Sequence, residues 1–175
     1  NVIIREYCTI NRGTEANYST EIMDNCLIMA YCHIAHDCIV GNQVIMANNA
    51  TLAGHVTLND YVVIGGLSAV HQFVRIGAHA MIGGMSGVEK DVIPFGSVMG
   101  ERANLAGLNL LGLKRRGFSR ESMNALRRSY KMLFDKKEES TLEQSIEKLD
   151  TDIEEVAALQ AFILSDKDRG LCLPK

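Results

Sequence analysis

Every sixth residue from Ile22 to Val88 is aliphatic or methionine, through twelve successive hexads. The residue four places further on in each hexad, from Cys26 to Val92, is small or β-branched. A period of six fits neither the α-helix nor the simple alternation of a flat strand. It is typical of short strands joined by tight corners, where three strands close one triangular coil of 18 residues. The chain is therefore predicted to be a β-solenoid in which residues 18 apart share a column, about 4.8 Å apart.

The repeat divides the chain into two predicted domains. Residues 1–96 are expected to form the β-solenoid, with a loop at about residues 11–21 that interrupts its first coil. The period stops beyond Pro94, and residues 97–175 are expected to form a helical domain that covers the end of the solenoid. Its predicted helices are one at residues 103–113, one from the cap Ser119 to about Phe134, and two opened by capping boxes at 140–143 and 151–154.

Charge and cysteine usage exclude several classes of protein. The 18 basic and 21 acidic residues give a net charge of −3, which is not that of a protein that coats nucleic acid. No stretch has the roughly 18 apolar residues of a membrane span. The five cysteines match neither a disulfide framework nor a zinc pattern, so reduced thiols in a cytoplasmic protein are expected. The chain begins at Asn1 within a strand-like pattern, which indicates a piece of a longer protein.

The predicted columns gather polar residues at one corner of the solenoid. An imidazole beside a carboxylate is suited to general-base chemistry, and the bare N–H of a glycine can stabilise an oxyanion. For Gly54, which lies in this group, relief of crowding at a corner is a second interpretation. The side chains are expected to face outward, because Ile34 and Cys38 occupy the inward positions. Three successive coils contribute, in order, His36 and Asp37, Gly54 and His55, and His71 and Gln72.

Four segments of the chain together resemble one enzyme family. They are His33-Ile-Ala-His36-Asp37-Cys38, Asn48-Asn-Ala-Thr-Leu-Ala-Gly54-His55-Val56, Ala69-Val-His71-Gln72-Phe73 and Gly112-Leu-Lys-Arg-Arg-Gly-Phe-Ser-Arg120. In this order they resemble the UDP-N-acetylglucosamine 3-O-acyltransferases, and the resemblance covers nearly the whole chain. It implies a left-handed parallel β-helix of hexapeptide repeats followed by an α-helical domain, with the first coils of the family's helix absent from this sequence.

The resemblance also implies an activity and partners. Family members move a 3-hydroxyacyl group from acyl carrier protein to the 3-hydroxyl of UDP-N-acetylglucosamine, the first step of lipid A synthesis. They are cytoplasmic homotrimers with sites between subunits, and they need no metal or cofactor.

Individual roles follow from the same resemblance. The catalytic residues are His36 as the general base, Gly54 as the oxyanion donor, and Asp37 beside them. A glycine at position 84, with Met81 nearby, corresponds to the ruler that limits the acyl chain. Leu111 departs from the family, whose members carry Glu there. The implied substrate contacts are His33, His55, His71 and Gln72 for the sugar nucleotide and acyl chain, and Asn109, Arg115 and Arg116 for the diphosphate.

A basic surface is predicted on the helix that Ser119 caps. Residues 97–134 carry eight basic and two acidic side chains, in contrast to the acidic remainder of the chain. At 100° per residue, Arg120, Arg127 and Lys131 fall within about 20° of one line, with Arg128 beside them. This face is suited to an acidic carrier protein, and a merely solvated charged face is the alternative.

The residues alone leave three alternatives to this function open. Histidines on neighbouring coils could ligate zinc at a subunit interface, as in gamma-type carbonic anhydrases. The repeat could be a structural solenoid without chemistry. The third alternative, within the same pathway, is N-acyl transfer to an amino sugar.

Overall fold

The computed structural model describes residues 1–135, 141–165 and 168–175. Its first part is a parallel β-helix made of strands of only two residues each. The strands are β1 Ile3–Ile4, β2 Thr9–Ile10, β3 Glu21–Ile22, β4 Leu27–Ile28, β5 His33–Ile34, β6 Ile39–Val40, β7 Ile45–Met46, β8 Thr51–Leu52, β9 Thr57–Leu58, β10 Val63–Ile64, β11 Ala69–Val70, β12 Arg75–Ile76, β13 Met81–Ile82 and β14 Gly87–Val88.

Three parallel sheets form the faces of a triangular prism. Sheet A contains β1, β4, β7, β10 and β13, sheet B contains β2, β5, β8, β11 and β14, and sheet C contains β3, β6, β9 and β12. Paired residues in the regular coils are 18 apart, as in His33 with Thr51 and Thr51 with Ala69. The predicted columns are therefore confirmed, and the fold is a left-handed parallel β-helix followed by helices.

The first coil departs from this register. Ile3 pairs with Leu27, a step of 24 residues instead of 18, so the coil holds six additional residues. They belong to the loop at residues 11–20, because Glu21 already begins β3. The predicted interruption is thus present, and it ends one residue earlier than expected.

The centre of the prism is filled by the repeated aliphatic residue. These side chains are buried from Ile28 to Val88, whereas Ile4 and Ile10 of the first coil are exposed. Each such side chain contributes about 1.5–3 kcal/mol on burial. The column includes Ile28, Ile34, Val40, Met46, Leu52, Leu58, Ile64, Ile76 and Ile82.

Where the second inward residue of a hexad is cysteine or serine, it supplies a hydrogen bond as well as volume. The thiols of Cys26, Cys32 and Cys38 donate to the carbonyls of residues 41, 47 and 53, at S···O distances of 3.0, 3.1 and 3.1 Å. Ser68 donates from its hydroxyl to a carbonyl in the same way, at 2.8 Å. One coil therefore carries a thiol donor at each of its three corners. All five cysteines are free, and four of them are buried, as expected for reduced thiols.

Each corner from Asn25 to Met85 turns through one residue in the left-handed region. Among the described residues, fourteen that are not glycine have φ between 56° and 63°, including Asp37, His55 and Phe73 in one column. This conformation costs an L-residue about 1–2 kcal/mol. Stacking along the columns offsets part of that cost, as between Tyr7 and Tyr31, whose ring centroids are 5.0 Å apart.

The segment after the β-helix corrects part of the prediction. The predicted helix at residues 103–113 is wrong, because β16 (Asn104–Leu108) pairs antiparallel with β15 (Gly96–Met99) and extends sheet A. Helix α1 covers only Leu110–Arg115, after Asn109 caps it. The predicted domain boundary, after residue 96, falls at the start of β15. Because β15 pairs with β13, sheet A continues past that boundary.

The other three predicted helices are present, and their N-terminal caps differ in how well they match the prediction. Ser119 caps α2 (Arg120–Phe134), as predicted. Helix α3 (Leu142–Glu147) has its capping box at Thr141 and Gln144 instead of 140–143, and Ser140 lies outside the described residues. Helix α4 (Glu154–Leu164) begins without a side-chain cap, so the capping box at 151–154 is wrong. None of the described helices is long and apolar enough to cross a membrane.

Stacked rings at the corner between sheets C and A join the β-helix to the helical part. His79 stacks on Tyr61 at 4.5 Å and on Phe95 at 5.7 Å, and the edge of Phe118 packs against it at 4.9 Å. Burial, followed by the positive charge of Arg116, lowers the pKa of His79 to about 4. Nδ1 of this ring is buried without a hydrogen-bond partner among the described residues. The imidazole is therefore neutral at physiological pH.

This neutral histidine predicts an acid-sensitive fold. Below the ordinary pKa of 6.5, the unfolded chain binds a proton at His79 that the folded chain accepts only near pH 4. Stability should therefore fall as the pH decreases from 6.5 towards 4. We expect His79→Phe, which keeps the stack, to reduce that fall in urea unfolding at pH 7 and pH 5, whereas His71→Phe at an exposed site should not. Equal pH dependence in wild type and His79→Phe would show that His79 is not the responsible group.

Candidate active site

His36 and Asp37 form a hydrogen-bonded pair at the corner between sheets B and C. The distance from His36 Nδ1 to Asp37 Oδ2 is 2.7 Å. The His36 side chain is 43% exposed, whereas the Asp37 side chain is 0% exposed. The carboxylate of the patch that was predicted to face outward is therefore shielded from solvent. The first-coil loop covers Asp37, and the partly exposed imidazole lies beside it.

The loop at residues 11–20 encloses this carboxylate. The backbone N–H groups of Thr14 and Asn17 donate to Asp37 Oδ1 at 3.0 and 3.3 Å, and the Thr14 hydroxyl donates to Oδ2 at 2.7 Å. The backbone N–H of Asp37 donates to the Thr20 hydroxyl at 2.9 Å. Sequence reasoning did not identify these residues, because the loop interrupts the repeat and lies outside the 18-residue columns.

These donors keep Asp37 ionised. Burial alone would raise the pKa of the carboxyl group, but the hydrogen bonds from Thr14, His36 and Asn17 outweigh it and lower the pKa to about 2. A carboxylate is only an acceptor, so Nδ1 of His36 must carry the hydrogen of the shared bond. The other ring nitrogen, Nε2, then has a free lone pair and can accept a proton.

Gly54 lies directly above the His36 ring. A Cβ atom at this position would lie 2.6 Å from His36 Cε1 and 2.7 Å from Nε2, so only glycine permits the approach. Gly54 therefore relieves crowding at this corner, and that role is compatible with stabilising an oxyanion through its N–H. In the described part of the chain, the Gly54 N–H makes no hydrogen bond, which leaves it available to an oxyanion near His36.

His55 completes the cluster one coil above Asp37. Its ring meets His36 edge to face at 5.2 Å and stacks on Phe73 at 4.7 Å. Its Nε2 atom lies 3.8 Å from Asp37 Oδ2, beyond hydrogen-bond distance. Two imidazoles thus adjoin the same carboxylate oxygen, and only His36 is bonded to it.

The same cluster offers ligand atoms to a cation. His36, Asp37 and His55 each offer one ligand atom, and these three atoms lie within 4.8 Å of one another. However, both oxygens of Asp37 are already engaged by loop donors, and Oδ2 also binds His36. This bonding pattern is that of an oriented base, which favours proton transfer over the zinc alternative.

Three further predicted site residues lie near this corner. His33 is half-buried, and its Nδ1 is 2.7 Å from the Thr9 hydroxyl. His71 and Gln72 are exposed, and both contact Arg169 from the end of the chain. The guanidinium lies 2.9 Å from His71 Nδ1 and donates to the Gln72 carbonyl at 3.1 Å. Sequence reasoning also missed Arg169, because no periodic signal connects it to the repeat.

The predicted diphosphate ligands lie at a different corner, between sheets C and A. Asn109 donates to the His79 carbonyl at 2.9 Å, and Arg116 donates to the Tyr61 carbonyl at 2.9 Å. Arg115 and Leu111 are exposed on α1. The whole of sheet C separates this corner from His36, so one chain does not bring the two groups together.

Gly84 lies at the third corner, between sheets A and B. It is exposed in the turn after β13, where a Cβ atom would lie 3.3 Å from the Gly66 carbonyl oxygen. Met81 begins β13 and is half-buried. Leu67 and Met85, beside the two glycines, are 63% and 73% exposed, so this edge of the prism is apolar.

The predicted basic face of α2 is solvent-accessible. Arg120, Arg127, Arg128 and Lys131 are all exposed, whereas Leu126 and Leu133 on the opposite face are buried. Within the same helix, Arg127 donates to the Asn124 side chain at 2.9 Å. Among the described residues, these four side chains therefore form a solvent-accessible, positively charged surface.

Comparisons with known proteins agree with this architecture. The model of a family described as UDP-N-acetylglucosamine O-acyltransferase, domain 2, matches residues 91–172, and a bacterial transferase hexapeptide model matches residues 19–54. A relative from Nautilia profundicola, named acyl-[acyl-carrier-protein]--UDP-N-acetylglucosamine O-acyltransferase, is 52% identical over 96% of this chain. A relative of the same name from Paracoccus denitrificans is 50% identical over 71% of this chain.

Solved structures give the same result. The UDP-N-acetylglucosamine acyltransferase from Campylobacter jejuni superposes with a TM-score of 0.92 at 44% identity, covering all of this chain and 69% of that one. The Arabidopsis enzyme also gives 0.92, at 42% identity, covering 98% of this chain and 63% of that one. The chain spans 65% of the length of the Nautilia relative and 48% of the Paracoccus relative.

Proposed function

Since the chain belongs to the UDP-N-acetylglucosamine O-acyltransferase family, we propose that it takes part in the first step of lipid A synthesis. The proposed reaction moves a 3-hydroxyacyl group from acyl carrier protein to the 3-hydroxyl of UDP-N-acetylglucosamine. The observation that carries this proposal is the Asp37-oriented imidazole of His36 beside the unused N–H of Gly54. The five free thiols support a reducing compartment, and we propose the cytoplasm.

The site's chemistry fits attack by an alcohol on a thioester. His36 Nε2 accepts the proton of the sugar 3-hydroxyl as its oxygen forms a bond to the thioester carbonyl carbon. The negative charge that develops on the carbonyl oxygen is stabilised by the Gly54 N–H. When the intermediate collapses, the C–S bond breaks and the departing sulfur takes the proton from His36. The base is thereby regenerated without a metal or cofactor entering any step.

The proposed base is tested by His36→Ala. The substitution should leave folding near normal, because the side chain is partly exposed, and should lower turnover by at least about a hundredfold. Turnover is measured with an acyl carrier protein thioester and the sugar nucleotide. Asn42→Ala, at the equivalent point of the neighbouring corner, is the matched control and should retain activity. Wild-type turnover in His36→Ala would overturn the assignment.

The same proposal includes a homotrimer with sites between subunits. The support is the separation of His36 from Arg115 and Arg116 by a whole prism face, because a diphosphate held by those arginines needs a second chain to bring it to the base. His33, His55, His71 and Gln72 would then complete the sugar and acyl contacts from the base-carrying chain, and Asn109 would act with the arginines.

Mixed assemblies test the shared site. We expect His36→Ala chains and Arg115→Glu chains each to be nearly inactive at low sugar-nucleotide concentration. Co-refolded in equal amounts, they should recover about a quarter of wild-type activity, the fraction of sites in which each chain supplies its intact residue. Sedimentation equilibrium verifies assembly. No recovery in verified mixed trimers would show that base and arginines act from one chain.

The acyl carrier protein is proposed to dock on the basic face of α2, which Arg120, Arg127, Arg128 and Lys131 form. Acidic partners are steered by such a surface, and the effect weakens with salt over a Debye length of roughly 10 Å at 0.1 M. Arg127→Glu should therefore lower kcat/KM for the carrier substrate and flatten its dependence on salt. Arg5→Glu, an equal charge change in the first coil, should do neither. If the two variants behave alike, the basic face does not recognise the carrier.

The acyl chain is proposed to end near Gly84 and Met81. The exposed apolar edge formed with Leu67 and Met85 supports this, because a hydrocarbon is stabilised by apolar surface at about 0.8 kcal/mol per buried methylene. Gly84 and Gly66 carry no side chains into that edge.

A further inference from the structure

We propose that Thr14 is a positioning residue for the catalytic base, acting through Asp37. This inference rests on the proposed function only in calling His36 the base. The contacts themselves belong to a loop that the family resemblance and the hexad repeat left without a role.

Thr14 engages both oxygens of the Asp37 carboxylate. Its backbone N–H donates to Oδ1 at 3.0 Å and its hydroxyl donates to Oδ2 at 2.7 Å. Asn17 adds a second backbone donor to Oδ1 at 3.3 Å. Two in-plane acceptor sites exist on each carboxylate oxygen, so on Oδ2 only one remains after Thr14 has bonded. His36 occupies that site at 2.7 Å.

The arrangement matters because a competing imidazole adjoins the same oxygen. His55 Nε2 lies 3.8 Å from Oδ2, close enough to form a hydrogen bond after a small movement. If the Thr14 hydroxyl is removed, Oδ2 loses the bond that fixes its direction, and the carboxylate can pivot about its Oδ1 contacts, away from His36 and towards His55. The Nδ1–H form of His36 would then lose its only anionic partner. Thr14 therefore selects which of the two histidines the carboxylate orients.

The loop is packed closely on itself and against Asp37. A Cβ atom on Gly13 would collide with the backbone of Ser19, so the two limbs of the loop are in close contact. At the other end of the loop, the Thr20 hydroxyl accepts the backbone N–H of Asp37 at 2.9 Å and leaves the carboxylate to Thr14 and Asn17. The six residues that the first coil adds to the 18-residue step are thus folded against Asp37.

The test compares two hydroxyls of the same loop. Thr14→Val removes the hydroxyl that donates to the carboxylate, and Thr20→Val removes the one that contacts only the Asp37 backbone. Tautomers are read from ¹⁵N shifts of histidine-labelled protein, with His36 assigned by its loss in His36→Ala. We expect wild type and Thr20→Val to hold His36 with hydrogen on Nδ1, whereas Thr14→Val should populate the Nε2–H form substantially. Thr14→Ser should restore the wild-type spectrum.

Kinetics provide the second readout. Thr14→Val should lower kcat by about tenfold to a hundredfold with little change in KM for either substrate, as expected when a reacting group is misplaced by less than about 1 Å. The pH profile of kcat/KM should shift in Thr14→Val and not in Thr20→Val, because Asp37 and His55 are the titratable groups that contact His36. Melting temperatures of both valine variants control for a general loss of stability.

The outcomes are separable. An unchanged His36 tautomer in folded Thr14→Val overturns the proposal, whatever the activity. An equal change in Thr20→Val and Thr14→Val also overturns it, because the effect would then come from the loop as a whole. If the tautomer responds as expected but wild type transfers no acyl group, the proposed function fails and the positioning role stands.

Discussion

The parallel pairing of each two-residue strand with the strand 18 residues later is the interaction on which the molecule depends. Strands this short are not stable alone, and each coil gains its stability from its neighbours. The constant step keeps one aliphatic side chain of every hexad in the centre of the prism and puts each corner residue over the next. Thiol and hydroxyl donors at the inner corners satisfy carbonyls of the following coil. A slip of one residue would expose the core and break these bonds at the same time.

The candidate site is a consequence of that vertical alignment. Gly54 meets the face of His36 because the two are one step apart, and the contact is so close that no side chain fits between them. His55 reaches the neighbourhood of Asp37 for the same reason. The alignment acts along a corner and not across a face, so residues of different corners stay apart within one chain. Any chemistry that needs two corners therefore requires a second molecule or a long substrate.

The regular part of the fold could be predicted from the sequence, because the hexad is a direct record of inward and outward positions. The 18-residue columns likewise predict that His36, Gly54 and His55 lie together. The burial of Asp37 could not be predicted this way, because its partners Thr14 and Asn17 lie in an aperiodic loop. Local composition predicts a helix where the strand Asn104–Leu108 lies, because the pairing of this strand with β15 depends on a tertiary contact that composition does not encode. Arg169 is nearly a hundred residues from His71 and carries no pattern at all.

The length of the first coil shows where the sequence of such a β-helix can vary without disturbing the framework. Its extra residues equal one hexad, and the strands on either side of the loop still meet the second coil in phase. A corner therefore tolerates added chain as long as the strands that follow return to the same faces. The base itself lies on the rigid coil, whereas the groups that orient its carboxylate lie on the added segment. Variation in that segment could thus retune the proton affinity of the site while the framework that holds the reacting atoms remains untouched.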